Sequence, residues 1–161
     1  LKFLVGRMLQ VDSRNVHTFI IGEHGDSELA AWSSATVSGV PINTFCEMRG
    51  HFNHDEATER IAENVKNSAY EIIAKKKATY FGVAMAVRRI CEAIIRDEKS
   101  ILPVSNLMHG EFGISDISLS MPAIVGAHGV ENRIPITLDE EETEKLQSSA
   151  GTLKKIIEEV L

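Results

Sequence analysis

The chain has 161 residues, of which 43% are hydrophobic and 25% charged, enough for one domain with its own core and too few for two comfortable ones. Its net charge of -6 argues against a general nucleic-acid binder, which needs a basic face, while leaving room for a small anionic ligand in a local basic pocket. No run of 18 apolar residues occurs, so no transmembrane helix and no membrane partner is expected.

The opening LKFLVGRMLQ places Leu1, Leu4, Val5 and Met8 at helical spacing with no capping residue ahead of them and no small-residue cleavage site. It reads as a helix entered partway, and the chain as a piece of something longer or a processed product. VDSRN has turn composition, and VHTFIIG predicts a strand. WSSATVSGVPI predicts another, at a sheet edge because of Pro41. RGHFNHDEATE then starts a helical pattern in which Ala57, Ile61, Val65, Ala69, Ile72 and Ile73 keep a 3-4 rhythm, with Asn53 or Asp55 available as cap. The rhythm continues through Val83, Val87, Ile90, Cys91, Ile94 and Ile95. A single helix of that length would be unusual, so a break is expected between Lys77 and Thr79.

SILPVSNLMHG, SLSMPAIVGAHG and NRIPI predict three strands of an antiparallel meander. In LDEEETEKL, Asp139 and Glu142 can form a capping pair, and Leu146, Ala150, Leu153, Ile157 and Val160 form the stripe expected to be buried. The order of elements predicts an α+β fold, an antiparallel sheet packed against long, kinked helices.

Some chemistry is missing. There is no GxGxxG, no GxxxxGK[ST] and no GxSxG, so a nucleotide phosphate or a serine nucleophile has no local home here. Cys46 and Cys91 lie far apart and outside any CxxC spacing, as expected of reduced thiols in a cytoplasmic protein. His51, His54 and Asp55 make an HxxHD string that is not a standard zinc pattern, and a solvated helix start explains it better. His109 and His128 fall at expected turns.

His24 differs from these. It stands in IIGEHGDSE at the end of a β-branched run, between Gly22 and Gly25, with Glu23 and Asp26 beside it. A turn needs only polar residues. Reactive groups are commonly carried on loops at strand ends, the flanking glycines allow close approach of a ligand, and an imidazole exchanges protons near neutrality. These residues make His24 a proton-transfer candidate and say nothing about its substrate.

NVHTFIIGEHGDSELAAWS closely resembles the catalytic-histidine segment of L-lactate dehydrogenases, particularly bacterial ones. VKNSAYEIIAKKKATYFGVAMAVRRI is similar to that family's long helix pair, and ILPVSNLMHGEFGISDISLSMPAIVGAHGVE to its sheet. The resemblance implies that residues 1–161 are the C-terminal substrate-binding and catalytic domain, with a Rossmann domain for NAD on a missing N-terminal half. It implies interconversion of (S)-lactate and pyruvate with His24 as proton donor and acceptor, in a cytoplasmic homotetramer. An Asp-x-x-Arg element, whose arginine clamps the substrate carboxylate and whose aspartate orients the histidine, should fall just before Leu1.

Further residues carry over by the same resemblance, each with a plainer alternative. Thr79 matches a threonine lining the substrate pocket and is also placed to cap the second helix half. Val83 matches the apolar residue facing the nicotinamide, and is equally well placed for core packing. His17 matches the histidine through which allosteric bacterial relatives bind fructose 1,6-bisphosphate, or is simply a histidine at a surface. Lys2 stands where the partner arginine of that effector site would be, keeping the charge and losing the bidentate fork. A malate or branched-chain 2-hydroxy acid (L-2-hydroxyisocaproate) dehydrogenase domain is the nearest alternative. A non-catalytic assembly module is the alternative for the isolated chain.

Overall fold

Residues 16–22 take three successive hydrogen-bonding partners in seven positions, and the rest of the molecule is arranged around them. In the computed structural model, which describes residues 1–160, Val16–His17 (β1) pairs antiparallel with Thr36–Val37 (β4). Ile20–Ile21 (β2) then pairs with Leu29–Ala30 (β3). Gly22 bridges to Ser120 in the main sheet, each residue's N–H donating to the other's carbonyl. The strand expected over VHTFIIG is therefore two short strands. The break at Thr18–Phe19 is held by the Ala31 N–H donating to the Phe19 carbonyl, where one continuous ladder would have required one continuous partner.

WSSATVSGVPI is likewise a hairpin: β4 turns through Ser38 and Gly39, both at positive φ, into Val40–Pro41 (β5). Pro41 occupies the expected edge and leads directly into a helix that was not anticipated, Ile42–Met48 (α2).

The main sheet has the predicted meander. Ser100–His109 (β6), Ser115–Gly126 (β7) and Gly129–Arg133 (β8) lie in the order β6-β7-β8, all antiparallel. The third strand starts three residues before NRIPI and ends inside it.

The helix break also falls where expected. His54–Lys76 (α3) ends at Lys77, which takes the left-handed conformation, and Tyr80–Ile95 (α4) follows. Asn53 holds the cap position of α3, but its side chain accepts no capping bond from the first turn. The first helix is Lys2–Leu9 (α1), with no side-chain cap at Leu1.

Two apolar clusters hold these elements. One joins Val5 and Leu9 of α1 to Val16, Val37, Ile42, Cys46 and Ile61. The other joins Ile21, Leu29, Met108, Leu119, Met121 and Leu146 of the last helix, Glu140–Val160 (α5). Each fully buried Leu or Ile contributes about 1.5–3 kcal/mol. The start of α5 shows the expected capping pair: the Glu142 N–H donates to Asp139 Oδ1 at 2.8 Å, and the Asp139 N–H donates to Glu142 Oε2 at 3.3 Å.

The helical stripes are only partly buried, which corrects the expectation. On α5, Leu146 and Ala150 are buried, while Ile157 is 43% and Val160 77% exposed. On α3 and α4, Ile61 and Ala93 are buried, while Ile72, Ile73, Val83, Val87 and Ile95 are exposed. The rhythm was apolar along its full length, but the sheet and α1 cover only one end of each helix. Among the described residues no helix is long and apolar enough to cross a membrane.

Candidate active-site loop

The loop from Gly22 to Glu28 is anchored at its entrance. Gly22 has φ +95° and is bonded to Ser120; a Cβ there would sit 2.9 Å from Ser149 Oγ of α5, so the position requires glycine on both counts. Glu23 is tied down twice. Its N–H donates to Ser149 Oγ at 2.8 Å, and its carboxylate accepts from the Ser27 hydroxyl and N–H. The Ser27 and Ser149 hydroxyls lie 3.0 Å apart. A side chain at Gly25 would run into the Glu23 carboxylate.

Between these anchors His24 is fully solvent-exposed. Its Nδ1 lies 3.9 Å from Glu28 Oε2, on a glutamate whose side chain is only 15% exposed. Burial pushes the Glu28 carboxyl above its usual value, against the opposing pull of His24 and Lys66. Chemically, this is an imidazole free to meet a ligand, with a partly desolvated carboxylate on its Nδ1 side and rigid backbone beneath.

Helix α3 holds the other shoulder of the loop. The Lys66 ammonium donates to the Asp26 carbonyl at 3.0 Å, and the Tyr70 hydroxyl to Asp26 Oδ1 at 2.8 Å. A cavity of about 610 Å³ opens between this helix, α5 and the loop, with Ser27, Glu28, Lys66 and Ser149 in its wall; His24 is not part of that wall.

The remaining candidates are more dispersed. Thr79 is half-buried at the cap position of α4 without a capping side-chain bond, its carbonyl accepting the Val83 N–H at 3.2 Å. Val83 is 58% exposed, so the core-packing alternative does not hold within this chain. Among the described residues no hydrogen bond joins either residue to His24. His17 is exposed on β1, and Lys2 sits 5.8 Å from the Phe19 ring centroid, two residues further along. Among the described residues no three His, Cys, Asp or Glu side chains converge as a metal site requires. His54 instead faces Glu47 at 3.6 Å, and both cysteines are free, Cys46 buried and Cys91 exposed.

The whole chain, residues 1–161, matches the family described as lactate/malate dehydrogenase, alpha/beta C-terminal domain. The chain belongs to this family. The L-lactate dehydrogenase of Acetivibrio thermocellus is 49% identical over 156 residues, which is 97% of this chain and 49% of that protein. That of a Thermoanaerobacter species is 45% identical over 159 residues, covering 99% of this chain and 51% of the relative. The minor L-lactate dehydrogenase of Enterococcus mundtii, in its ligands-bound form, superposes with a TM-score of 0.92 at 41% identity, over 99% of this chain and 51% of that one. This chain thus spans about half the length of the relatives it matches.

Within this dehydrogenase C-terminal domain, several site residues carry no local mark in the sequence. Glu28 was visible only as the last acid of GEHGDSE. Tyr70 and Ser149 lie 44 and 126 residues from their loop partners Asp26 and Glu23, distances at which no spacing rule operates.

Proposed function

We propose that this chain is the substrate-side half, residues 1–161, of a longer NAD-dependent L-lactate dehydrogenase whose nucleotide-binding half precedes it. The observation that carries the reading is His24: a fully exposed imidazole on a loop held by α3, α5 and the main sheet, with Glu28 on its Nδ1 side. Glycines, a bridge and six side-chain hydrogen bonds around an unengaged histidine fit a group that waits for a ligand.

The residues present suit NAD at one face only. Val83 and the neighbouring Tyr80 and Phe81 are exposed and apolar on the first turns of α4, as a flat ring requires, and Val83 is the proposed nicotinamide contact. No glycine-rich phosphate cradle exists in this chain, so the phosphates belong to the other half. NAD, when bound, takes up or returns the hydride at substrate C2.

His24 handles the proton. In lactate oxidation its ring takes the proton of the C2 hydroxyl as the carbonyl forms; in pyruvate reduction the imidazolium gives it back to the carbonyl oxygen. With Nδ1 turned toward Glu28, Nε2 is the nitrogen left for the substrate oxygen. A carboxylate on the Nδ1 side stabilises the imidazolium and selects the tautomer. Thr79, half-buried before α4, is the proposed substrate-pocket hydroxyl.

Two further proposals concern partners. The exposed Tyr80, Phe81, Met85 and Val87 of α4 fit burial against the nucleotide-binding half and against other subunits of a homotetramer. His17 and Lys2, exposed and close along the surface to Phe19, are proposed to bind fructose 1,6-bisphosphate. The free cysteines fit a cytoplasmic setting.

The test is His24→Gln in the full-length protein, assayed by NADH oxidation with pyruvate. A loss on the order of 100- to 10,000-fold in kcat is expected for removal of a general acid-base group; activity retained within a few-fold overturns the assignment. The family description also admits malate. Comparing kcat/KM for pyruvate, oxaloacetate and 2-oxoisocaproate decides the substrate, and preference for pyruvate is expected. The isolated 161-residue chain is expected to show no turnover.

A further inference from the structure

Helix α5 reaches the His24 loop through one hydroxyl, and the proton count of that contact has one solution. Ser27 has a single hydroxyl proton and donates it to Glu23 Oε2. Toward Ser149, 3.0 Å away, Ser27 Oγ is therefore the acceptor. Ser149 donates its own proton to Ser27 and uses a lone pair to accept the Glu23 N–H at 2.8 Å. The bonds close into a circuit from the Glu23 N–H to Ser149, from Ser149 to Ser27, and from Ser27 to the Glu23 carboxylate. It begins and ends on the residue immediately before His24.

Three features make this circuit a constraint on direction as well as a source of stability. Ser149 is 0% exposed, so water does not replace either of its bonds. The same oxygen lies 2.9 Å from where a Gly22 Cβ would be, so α5 approaches the residue before Glu23 closely enough to leave no room for a side chain there. Consecutive bonds in one chain also polarise one another, so breaking one weakens the rest.

We propose that Ser149 is a positioning residue for His24: through Ser27 and the Glu23 N–H, α5 sets the orientation of the Gly22–Glu23 peptide and of the Glu23 side chain, and hence the line along which the imidazole of the next residue meets the substrate oxygen. The proposal rests on the proton-transfer role of His24. Ser149 itself touches no substrate. Its effect is geometric, and misplacement by about 1 Å costs a reacting group on the order of 100-fold.

The experiment uses the full-length enzyme with Ser149→Ala, Ser27→Ala, the double variant, His24→Gln, and Leu153→Ala as a control that loosens the same helix through its apolar contacts. Ser149→Ala is expected to lower kcat on the order of 10- to 100-fold while KM for pyruvate moves less than about threefold. Ser27→Ala is expected to act alike, and the double variant to be no worse than the more damaging single one, because the circuit is already open. Leu153→Ala is expected to lower Tm and keep kcat. Ser149→Ala that loses Tm as Leu153→Ala does but keeps kcat within about twofold overturns the proposal, as do losses that multiply in the double variant. Should Ser149→Ala not fold, Ser27→Ala opens the circuit from its half-buried side, and full kcat there overturns the proposal equally. Activity surviving in His24→Gln overturns the underlying reading instead, so the two failures are told apart.

Discussion

The Tyr70 hydroxyl donates to Asp26 Oδ1 at 2.8 Å across 44 residues of chain, tying an exposed face of α3 to the loop that carries His24. The bond holds the Tyr70 phenol above its ordinary value of 10.0, the donated hydrogen bond being the largest cause and the Asp26 charge the next. A raised phenol stabilises the contact fully below the ordinary tyrosine value, and the benefit is lost as pH rises through the higher folded value. Tyr70→Phe in the full-length enzyme is expected to lower kcat/KM by up to about tenfold, less than the ~100-fold of a 1 Å misplacement, because Lys66 still holds the Asp26 carbonyl. Steady-state kinetics checks the first effect. Ultraviolet titration of the phenolate, with one late-titrating tyrosine lost in the variant, checks the second.

Glu28 has the same direction of linkage and the opposite consequence at neutral pH. Its carboxyl is raised above 4.5, first by burial, while His24, Lys66 and the Leu1 ammonium pull it down without cancelling the rise. A carboxyl raised by folding favours the native state below its ordinary value, and that contribution disappears as pH climbs through the folded value. At neutral pH the ionised form is therefore held at a cost. Glu28→Gln in the 161-residue chain is expected to raise Tm at pH 7, with the gain fading as pH falls through the raised folded value toward 4.5. In the full-length enzyme the same change is expected to lower kcat, since the imidazolium of His24 loses its nearest carboxylate. A variant that is less stable at pH 7 and no slower contradicts both halves of the argument.

What could be read in advance follows the reach of each interaction along the chain. The Asp139–Glu142 pair spans three residues, and the break at Lys77 sits inside one continuous rhythm, so both were legible. His24 stood out because its glycines and acids lie within a few positions of it. Ser149 did not, because its spacing from Leu146 and Leu153 marks it only as a serine on the buried face of α5; only the fold brings it to Glu23. Helix α2 escaped for a related reason. It has seven residues and buries only Ile42 and Cys46, one pair at i, i+4, too little for a periodic pattern, and Pro41 before it reads as a strand edge. The exposed ends of α3, α4 and α5 show the converse. Their apolar rhythm is genuine, and no element among the described residues covers it.

The effector proposal makes a charge-specific prediction. Lys2 presents a single ammonium, 5.8 Å from the Phe19 ring centroid, where a guanidinium would add a bidentate fork for a phosphate. Fructose 1,6-bisphosphate is expected to lower the pyruvate KM of the full-length enzyme. Lys2→Arg is expected to lower the concentration needed for half-activation, and His17→Gln to abolish the response. Titration of initial rates with the bisphosphate checks all three. An unchanged KM in the parent enzyme removes the effector role from both residues.

Glu142 supports the start of α5 in two directions at once. One carboxylate oxygen accepts the Asp139 N–H at 3.3 Å, closing the capping pair, while the other accepts the Trp32 N–H at 2.6 Å and the Ser33 N–H at 3.0 Å. With only 7% of the residue exposed, Glu142→Ala leaves three backbone donors without their acceptor in a site that water reaches poorly. Each such orphan costs about 1–3 kcal/mol, and loss of a cap about 1 kcal/mol, but partial rehydration on removal of the side chain keeps the total to roughly 2–4 kcal/mol. Glu142→Gln retains one carbonyl oxygen and is expected to lose about half as much, because either the Trp32–Ser33 pair or the cap can be satisfied, and not both. Chemical denaturation of the two variants beside the parent gives the comparison. Equal losses for alanine and glutamine would mean that the negative charge stabilises the helix start through its positive end, and that the hydrogen bonds to Trp32 and Ser33 contribute little.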